Sequence, residues 1–128
     1  MTEWTNDERN RIEAAEELQI TSLRRNDTLR KWTTIWVVRL GDDLYVRSVK
    51  GNRGAWYRGA LGRHEGRIRA GGVEKDVTFV EVNDADTLQQ VDDAYREKYR
   101  RYPTYAAPLF KPESRAATLK LVARGAGA

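Results

Sequence analysis

"TLRKWTTIWVVRLGDDLYVRSVK" runs from Thr28 to Lys50 and decides the fold. The first part, Thr28 to Leu40, is dense in β-branched and aromatic residues and reads as a strand. Its centre, Ile35 to Val38, is apolar on both faces, so both faces should be buried. Gly41-Asp42-Asp43 follows as a hairpin turn, because glycine tolerates positive φ and aspartate suits turns. Leu44 to Lys50 then returns antiparallel. A hairpin of this length brings Arg47 to Lys50 near Thr33 to Ile35.

Working outward, "GAWYRGALGRH" (54–64) reads as a short helix crossing one end of the sheet. "EGRIRAGGVEKDVTFVEV" (65–82) reads as two strands meeting at Gly71-Gly72, where adjacent glycines mark a bend or tight hairpin. Upstream, "TNDERNRIEAAEELQI" predicts a helix over about 5–18. Thr5 or Asn6 caps it, Asp7 and Glu8 suit its positive end, and Ile12, Ala15 and Leu18 share a face. Trp4 precedes it as a hydrophobic staple. "QITSLRR" is a short strand. A second helix spans about 84–101, capped by Asn83, Asp84 or Asp86, with a stripe through Leu88, Val91, Tyr95, Lys98 or Tyr99, and Tyr102. Pro103 ends it. "PTYAAPLFKPES" is a loop, 116–124 a closing strand, and "GAGA" a frayed tail.

Strands arrive in hairpins, not in βαβ units, so the sheet should be antiparallel. The expected fold is α+β, mainly β: a small antiparallel barrel of about six strands, with helices packed outside. The barrel takes about 20–82 and the chain, at 128 residues, forms one domain. Roughly two-thirds of the unfolded surface can be buried at this length.

Composition narrows the chemistry. Hydrophobic residues make up 40% and charged residues 33%, a folded balance and not a disordered one. Cysteine is absent, which removes disulfides, thiolate zinc sites and a cysteine nucleophile. The start carries no secretory signal and no apolar run is long enough to span a bilayer, so a cytoplasmic location is the default. The net charge of +4, from 23 basic and 19 acidic residues, permits an anionic ligand without demanding nucleic acid.

Two clusters suit an anion. Arg30, Lys31, Thr33 and Thr34 stand where the long strand begins; Arg47, Ser48 and Lys50 stand where its partner ends. The hairpin should bring them together. Either cluster read alone is also an ordinary solvated strand end. Trp56 and Tyr57 either stack on a flat ring or plug the barrel mouth. Trp32 and Trp36 are expected in the core. His64 is the single histidine and is expected at the surface. Asp42-Asp43 reads as a turn pair and Asp92-Asp93 as a helix-surface pair. Ser22 and Ser48 lack a nucleophile elbow, and "GAWYRG" is no phosphate loop. No metal site is expected.

Residues 33–61 followed by "GRIRAGGVEKDVTFVEV" resemble a family of uncharacterised bacterial domains, domain of unknown function 2255, over about Ile20 to Arg124. More distantly, the order is similar to the split-barrel flavoproteins, which include pyridoxamine-phosphate-oxidase-like proteins and deazaflavin-dependent nitroreductases. The resemblance implies a barrel of the split type, and a redox protein that binds FMN or a deazaflavin coenzyme. It implies that Arg30, Lys31, Arg47, Ser48 and Lys50 hold the anionic tail, that Thr33 and Thr34 contact the ring edge, and that Tyr45, Trp56 and Tyr57 form a substrate pocket. This chain has "TLRKWT" where the deazaflavin proteins carry a G-R-x-S-G segment. By the same analogy it is a homodimer.

Two other readings stand beside this one. A cofactor-free isomerase or cyclase would use Glu74, Asp76 or Glu81 with Tyr45 or Tyr57 in the barrel pocket. A nucleic-acid-binding module would use basic grooves and exposed aromatics.

Overall fold

Val37 and Val38 are neighbours and both are buried, but in different cores. Val37 joins Leu44, Val46, Ile68 and Leu121 in the barrel interior. Val38 joins Tyr45, Val91 and Tyr95 between the outer face of the sheet and a helix. Alternating side chains of one strand point to opposite faces, so a strand sandwiched between two cores must be apolar throughout. This accounts for the run Ile35 to Val38, although Ile35 and Trp36 are only half-buried.

The computed structural model describes residues 4–124. The tail "GAGA" lies outside the described residues. Seven strands form the sheet: β1 (Leu18–Ser22), β2 (Thr33–Ile35), β3 (Val37–Leu40), β4 (Asp43–Arg47), β5 (Glu65–Ala70), β6 (Val73–Glu81) and β7 (Thr118–Ala123). Their order is β2-β1-β5-β6-β7-β4-β3, and every pairing is antiparallel.

The strand expected over Thr28 to Leu40 is therefore two strands that part at Trp36. β2 pairs with β1, while β3 pairs with β4. These two strands are adjacent in the chain yet stand at opposite ends of the sheet order. One residue cannot bridge a flat sheet of seven strands, so the sheet curls into a nearly closed barrel. The division at Trp36 also explains why the count exceeds the expected six.

The two tight hairpins follow their glycines. Gly41 has φ +59°, and Leu40 pairs with Asp43 across a two-residue turn. Gly71 and Gly72 have φ +57° and +82°, the pair of positive values that a two-residue turn between twisted strands requires.

Helix α1 (Asn6–Ala14) has a full capping box: Thr5 Oγ1 accepts from Glu8 N, and Glu8 accepts from Thr5 N. It is shorter than the expected 5–18. Ala15 is already extended, and Leu18 enters β1 opposite Ile35; strand pairing overrides the helical spacing of Ile12, Ala15 and Leu18. Trp4 is not a staple. It is buried in the barrel core, and its Nε1 donates to Leu121 O at 2.9 Å.

Helix α2 (Ala55–Arg63) follows a short 3-10 turn, Gly51–Arg53. Helix α3 (Ala85–Lys98) is capped by Asp84, whose carboxylate accepts from Thr87 N, and lays Val91, Tyr95 and the following Tyr99 against β3 and β4. The segment after it is not a loop. It winds through α4 (Pro103–Ala106), a 3-10 turn (Ala107–Phe110) and α5 (Pro112–Arg115). Each proline sits in the first turn of an element, where its missing N–H has no helical partner to lose.

Candidate anion site at the start of the second helix

Ser48 lies just past the end of β4 and is 1% exposed. Its backbone is well held: its N–H donates to Ala117 O, and its carbonyl accepts from Gly51 N and from Ser114 Oγ at 2.8 Å. Its side-chain oxygen is different. Ser48 Oγ is buried and has no hydrogen-bond partner among the described residues. A buried hydroxyl without a partner costs free energy.

That oxygen lies against the N-terminus of α2. A Cβ on Gly54, the N-cap residue, would stand 2.4 Å from Ser48 Oγ. Gly54 supplies no capping side chain, and the first turn of α2 contains no acidic residue. The first intrahelical bond runs from Arg58 N to Gly54 O at 3.0 Å, so the N–H groups of Ala55, Trp56 and Tyr57 have no partner within the helix. The exposed charges nearest in sequence are Lys50, Arg53 and Arg58. Cations at a helix N-terminus oppose its dipole, whereas an anion placed among them would be favoured twice over.

Arg47, one residue earlier, faces the other way. Its side chain is fully buried among groups that already occupy it. Nε donates to Thr118 Oγ1 at 2.9 Å, Nη1 to Asp92 Oδ1 and to Leu109 O, and Nη2 to Leu88 O at 2.9 Å. Four of its five N–H groups are thereby engaged, and Asp92 neutralises its charge. Asp92 also receives Arg115, with Nε 3.0 Å from Oδ2. Arg47 thus ties β4 to α3 and to the 3-10 turn after α4, which corrects its assignment to an anion cradle. Asp92 is not a helix-surface residue: it is 4% exposed, while Asp93 is exposed.

The two strand-end clusters meet only in part. Thr34, Ile35, Trp36, Arg47 and Val49 line one open hollow of about 150 Å³, with Tyr105 and Leu109 opposite. Val49 is 50% exposed and Tyr105 75% exposed beside it. Thr33 is half-buried. Lys31 is exposed on the approach to β2. Arg30 is exposed but runs beside α2, where a Cβ on Gly59 would stand 2.9 Å from its Cδ. Trp32 is half-buried and belongs to neither core, with the Arg69 guanidinium 4.0 Å above its ring. Trp36 is half-buried and stacked on Tyr99 at 3.9 Å.

Trp56 and Tyr57 meet, but Tyr45 is not brought to them. Tyr45 is buried on the outer face against α3, and burial and the nearby Asp43 and Asp84 push its hydroxyl pKa up. Tyr57 is buried in the barrel interior, its pKa raised by burial and by Glu81. Trp56 packs half-buried against that same interior, edge-on to Tyr57. His64 caps α2 in a left-handed conformation, with Nε2 3.1 Å from Glu81 Oε2. Glu74 pairs with Arg69 and Asp76 with Arg67, all at the surface. Among the described residues no cluster of three or more His, Asp or Glu side chains is placed to hold a metal, and no helix is long and apolar enough to cross a membrane.

Residues 8–121 match the model of a family described as uncharacterized protein conserved in bacteria, domain of unknown function 2255. The chain belongs to that family. A search of curated proteins finds no match. Among solved structures, the chain is similar to an F420-H2-dependent reductase (TM-score 0.60, 14% identity, 84% of this chain and 93% of that one). It is also similar to a conserved hypothetical protein from Mycobacterium tuberculosis (TM-score 0.68, 10% identity, 97% and 83%). A third is a candidate pyridoxamine 5′-phosphate oxidase from Listeria innocua (TM-score 0.57, 11% identity, 90% and 87%). At these identities the likeness is one of fold, and the fold of this family member is the split barrel.

Proposed function

We propose that this family member binds a phosphorylated flavin or deazaflavin coenzyme and acts as an oxidoreductase. The observation that carries the reading is the buried Ser48 hydroxyl without a partner, set against an uncapped helix N-terminus with Lys50 and Arg53 alongside. A phosphate is the group suited to the free amides at the start of α2 and to the cations next to them in the chain, with the unpartnered Ser48 hydroxyl directly beneath that turn.

In this reading Ser48, Lys50, Arg53 and the first amides of α2 hold the anionic tail. Arg30 runs beside Gly59 of α2 and adds positive potential, with Lys31 exposed next to it in the chain. The hollow of Thr34, Ile35, Trp36 and Val49 lies next in the chain to Ser48 and takes an edge of the ring system. Trp56 is the aromatic nearest the start of α2. When bound, the coenzyme supplies the hydride chemistry; the protein binds, orients and shields it. A second copy of the chain covering Val49 and Tyr105 would complete the hollow, which is the basis for proposing a homodimer.

Exposure and ion pairing weigh against a cofactor-free isomerase. That reading needs a carboxylate in an apolar pocket, and Glu74, Asp76 and Glu81 are exposed and paired.

The test is a visible absorption spectrum of the purified protein, followed by titration with FMN and with the deazaflavin coenzyme. Binding in the micromolar range by either supports the reading. No chromophore and no binding of either up to millimolar concentration would overturn it.

A further inference from the structure

A second feature lies away from α2 and is independent of the coenzyme reading. The C-terminal end of α3, the end of α1 and β3 enclose an open groove of about 600 Å³. Lys98 lines it, half-buried, on the face of α3 that turns toward β3. Its Nζ donates to Val37 O at 2.7 Å and sits 5.3 Å from the centre of the Tyr99 ring. Among the described residues it forms no ion pair, although most carboxylates nearby do: Glu13 pairs with Arg39, and Glu97 with Arg100. A lysine anchored by one carbonyl, desolvated on one side and open to a groove on the other, is a poorly stabilised ammonium.

We propose that Lys98 is a modification site, whose amine takes an acyl group from a small acyl phosphate entering this groove. Every charged group facing it bears on the chemistry. Glu13 and Glu16 come from α1 and the linker after it, Arg39 from β3, and Glu97, Arg100 and Arg101 from α3 and the turn beyond. Burial lowers the amine pKa to about 8, and Glu13 and Glu16 oppose that shift without cancelling it. A useful fraction of Lys98 is therefore neutral near physiological pH. The neutral nitrogen attacks the acyl carbon; the C–N bond forms as the C–O bond to phosphate breaks. Phosphate leaves with the electron pair, and the surplus proton on nitrogen passes to the Glu16 carboxylate or to water. Arg39 and Arg100 in the same groove are paired with Glu13 and Glu97, so Arg101 is the lining cation without an ion pair among the described residues that can meet the anionic donor. The product is a neutral amide in place of a strained cation.

The chain contains six lysines, which provide an internal comparison. The experiment is acetylation of the intact protein by acetyl phosphate, with peptide mass spectrometry resolving each lysine over time. At pH 7.5 the neutral fraction of Lys98 exceeds that of an ordinary lysine about 200-fold; its lower basicity makes it a weaker nucleophile and, on a sensitivity like that known for thiols, leaves an advantage of about tenfold. Lys98 should thus outpace the exposed Lys31, Lys50 and Lys111. Its rate should level off above about pH 9 while theirs keep rising. In denaturing urea the advantage should vanish. Lys98→Arg should remove the fast component and leave the other sites unchanged. A rate at Lys98 equal to or below that of the exposed lysines in the folded protein would overturn the proposal.

Discussion

Arg47 and Ser48 are consecutive, equally buried and opposite in what their polar atoms meet. Arg47 engages Asp92, Thr118 and two carbonyls, so its charge belongs to the scaffold. The Ser48 hydroxyl has no hydrogen-bond partner among the described residues. From sequence both are polar residues at the end of a strand beside a basic, glycine-containing turn. The difference shows that residue type alone does not separate a scaffold charge from a candidate binding group; the Ser22 hydroxyl is also buried without a partner, and what sets Ser48 apart as a candidate is the uncapped helix N-terminus beside it.

The comparison breaks most visibly at Asp92. Asp92→Ala leaves Arg47 as an uncompensated buried charge and should cost about 3–5 kcal/mol. Urea unfolding measures it. Replacing Arg47 and Asp92 together by Met and Leu should recover most of that loss, because the desolvation of both charges disappears with them. A small loss for the single change would mean that Arg47 reaches water or a ligand after all.

Lys98 is intermediate, with one carbonyl partner and no carboxylate, and its signature is in pH. Its folded-state pKa of about 8 lies below the unfolded value, so between these values the unfolded chain binds the extra proton. Stability due to this group therefore rises as pH increases from about 8 to 10.4, and its penalty is complete below about 8. Relative to Lys98→Met, the wild type should gain about 1 kcal/mol across that window, a value reduced for partial solvation of the amine. A flat difference between pH 7 and 10.5 would place the ammonium in water.

Ser48→Ala should have the smallest effect on stability, within about 0.5 kcal/mol of the wild type and of either sign, since no bond is lost. Its effect should fall on ligand affinity. A loss of several kcal/mol without any ligand would show that the hydroxyl has a structural partner.

Much of this fold was legible because it is local. Glycines at 41 and at 71–72 dictate the two hairpins, and Thr5 with Glu8 dictates the start of α1. The division of one apolar run at Trp36 was not legible, since the alternation continues unbroken from Ile35 to Val38 and only closure of the barrel assigns its halves to different partners. The three prolines from 103 to 112 signalled irregular chain, yet a proline suits the first turn of a helix as well as it suits a loop. For the site, Lys50 and the aromatics of α2 could be singled out, and Arg53 followed by Gly54 at a helix start was a further available signal. The roles of Arg47 and Asp92 were hidden, because an arginine at a strand end reads the same whether it faces solvent or a carboxylate 45 residues away.

In the proposed reading, the N-terminus of α2 recognises phosphate. That recognition is tested by comparing FMN with riboflavin, which share a ring system and differ in the phosphate alone, by quenching of flavin fluorescence on titration with the protein. Charge-assisted hydrogen bonds to the phosphate should make FMN bind about 10- to 100-fold more tightly than riboflavin. That ratio should collapse in a Lys50→Ala, Arg53→Ala double variant whose melting temperature is unchanged. Equal affinity for the two flavins, or a preference for FMN that survives loss of both cations, would contradict the account.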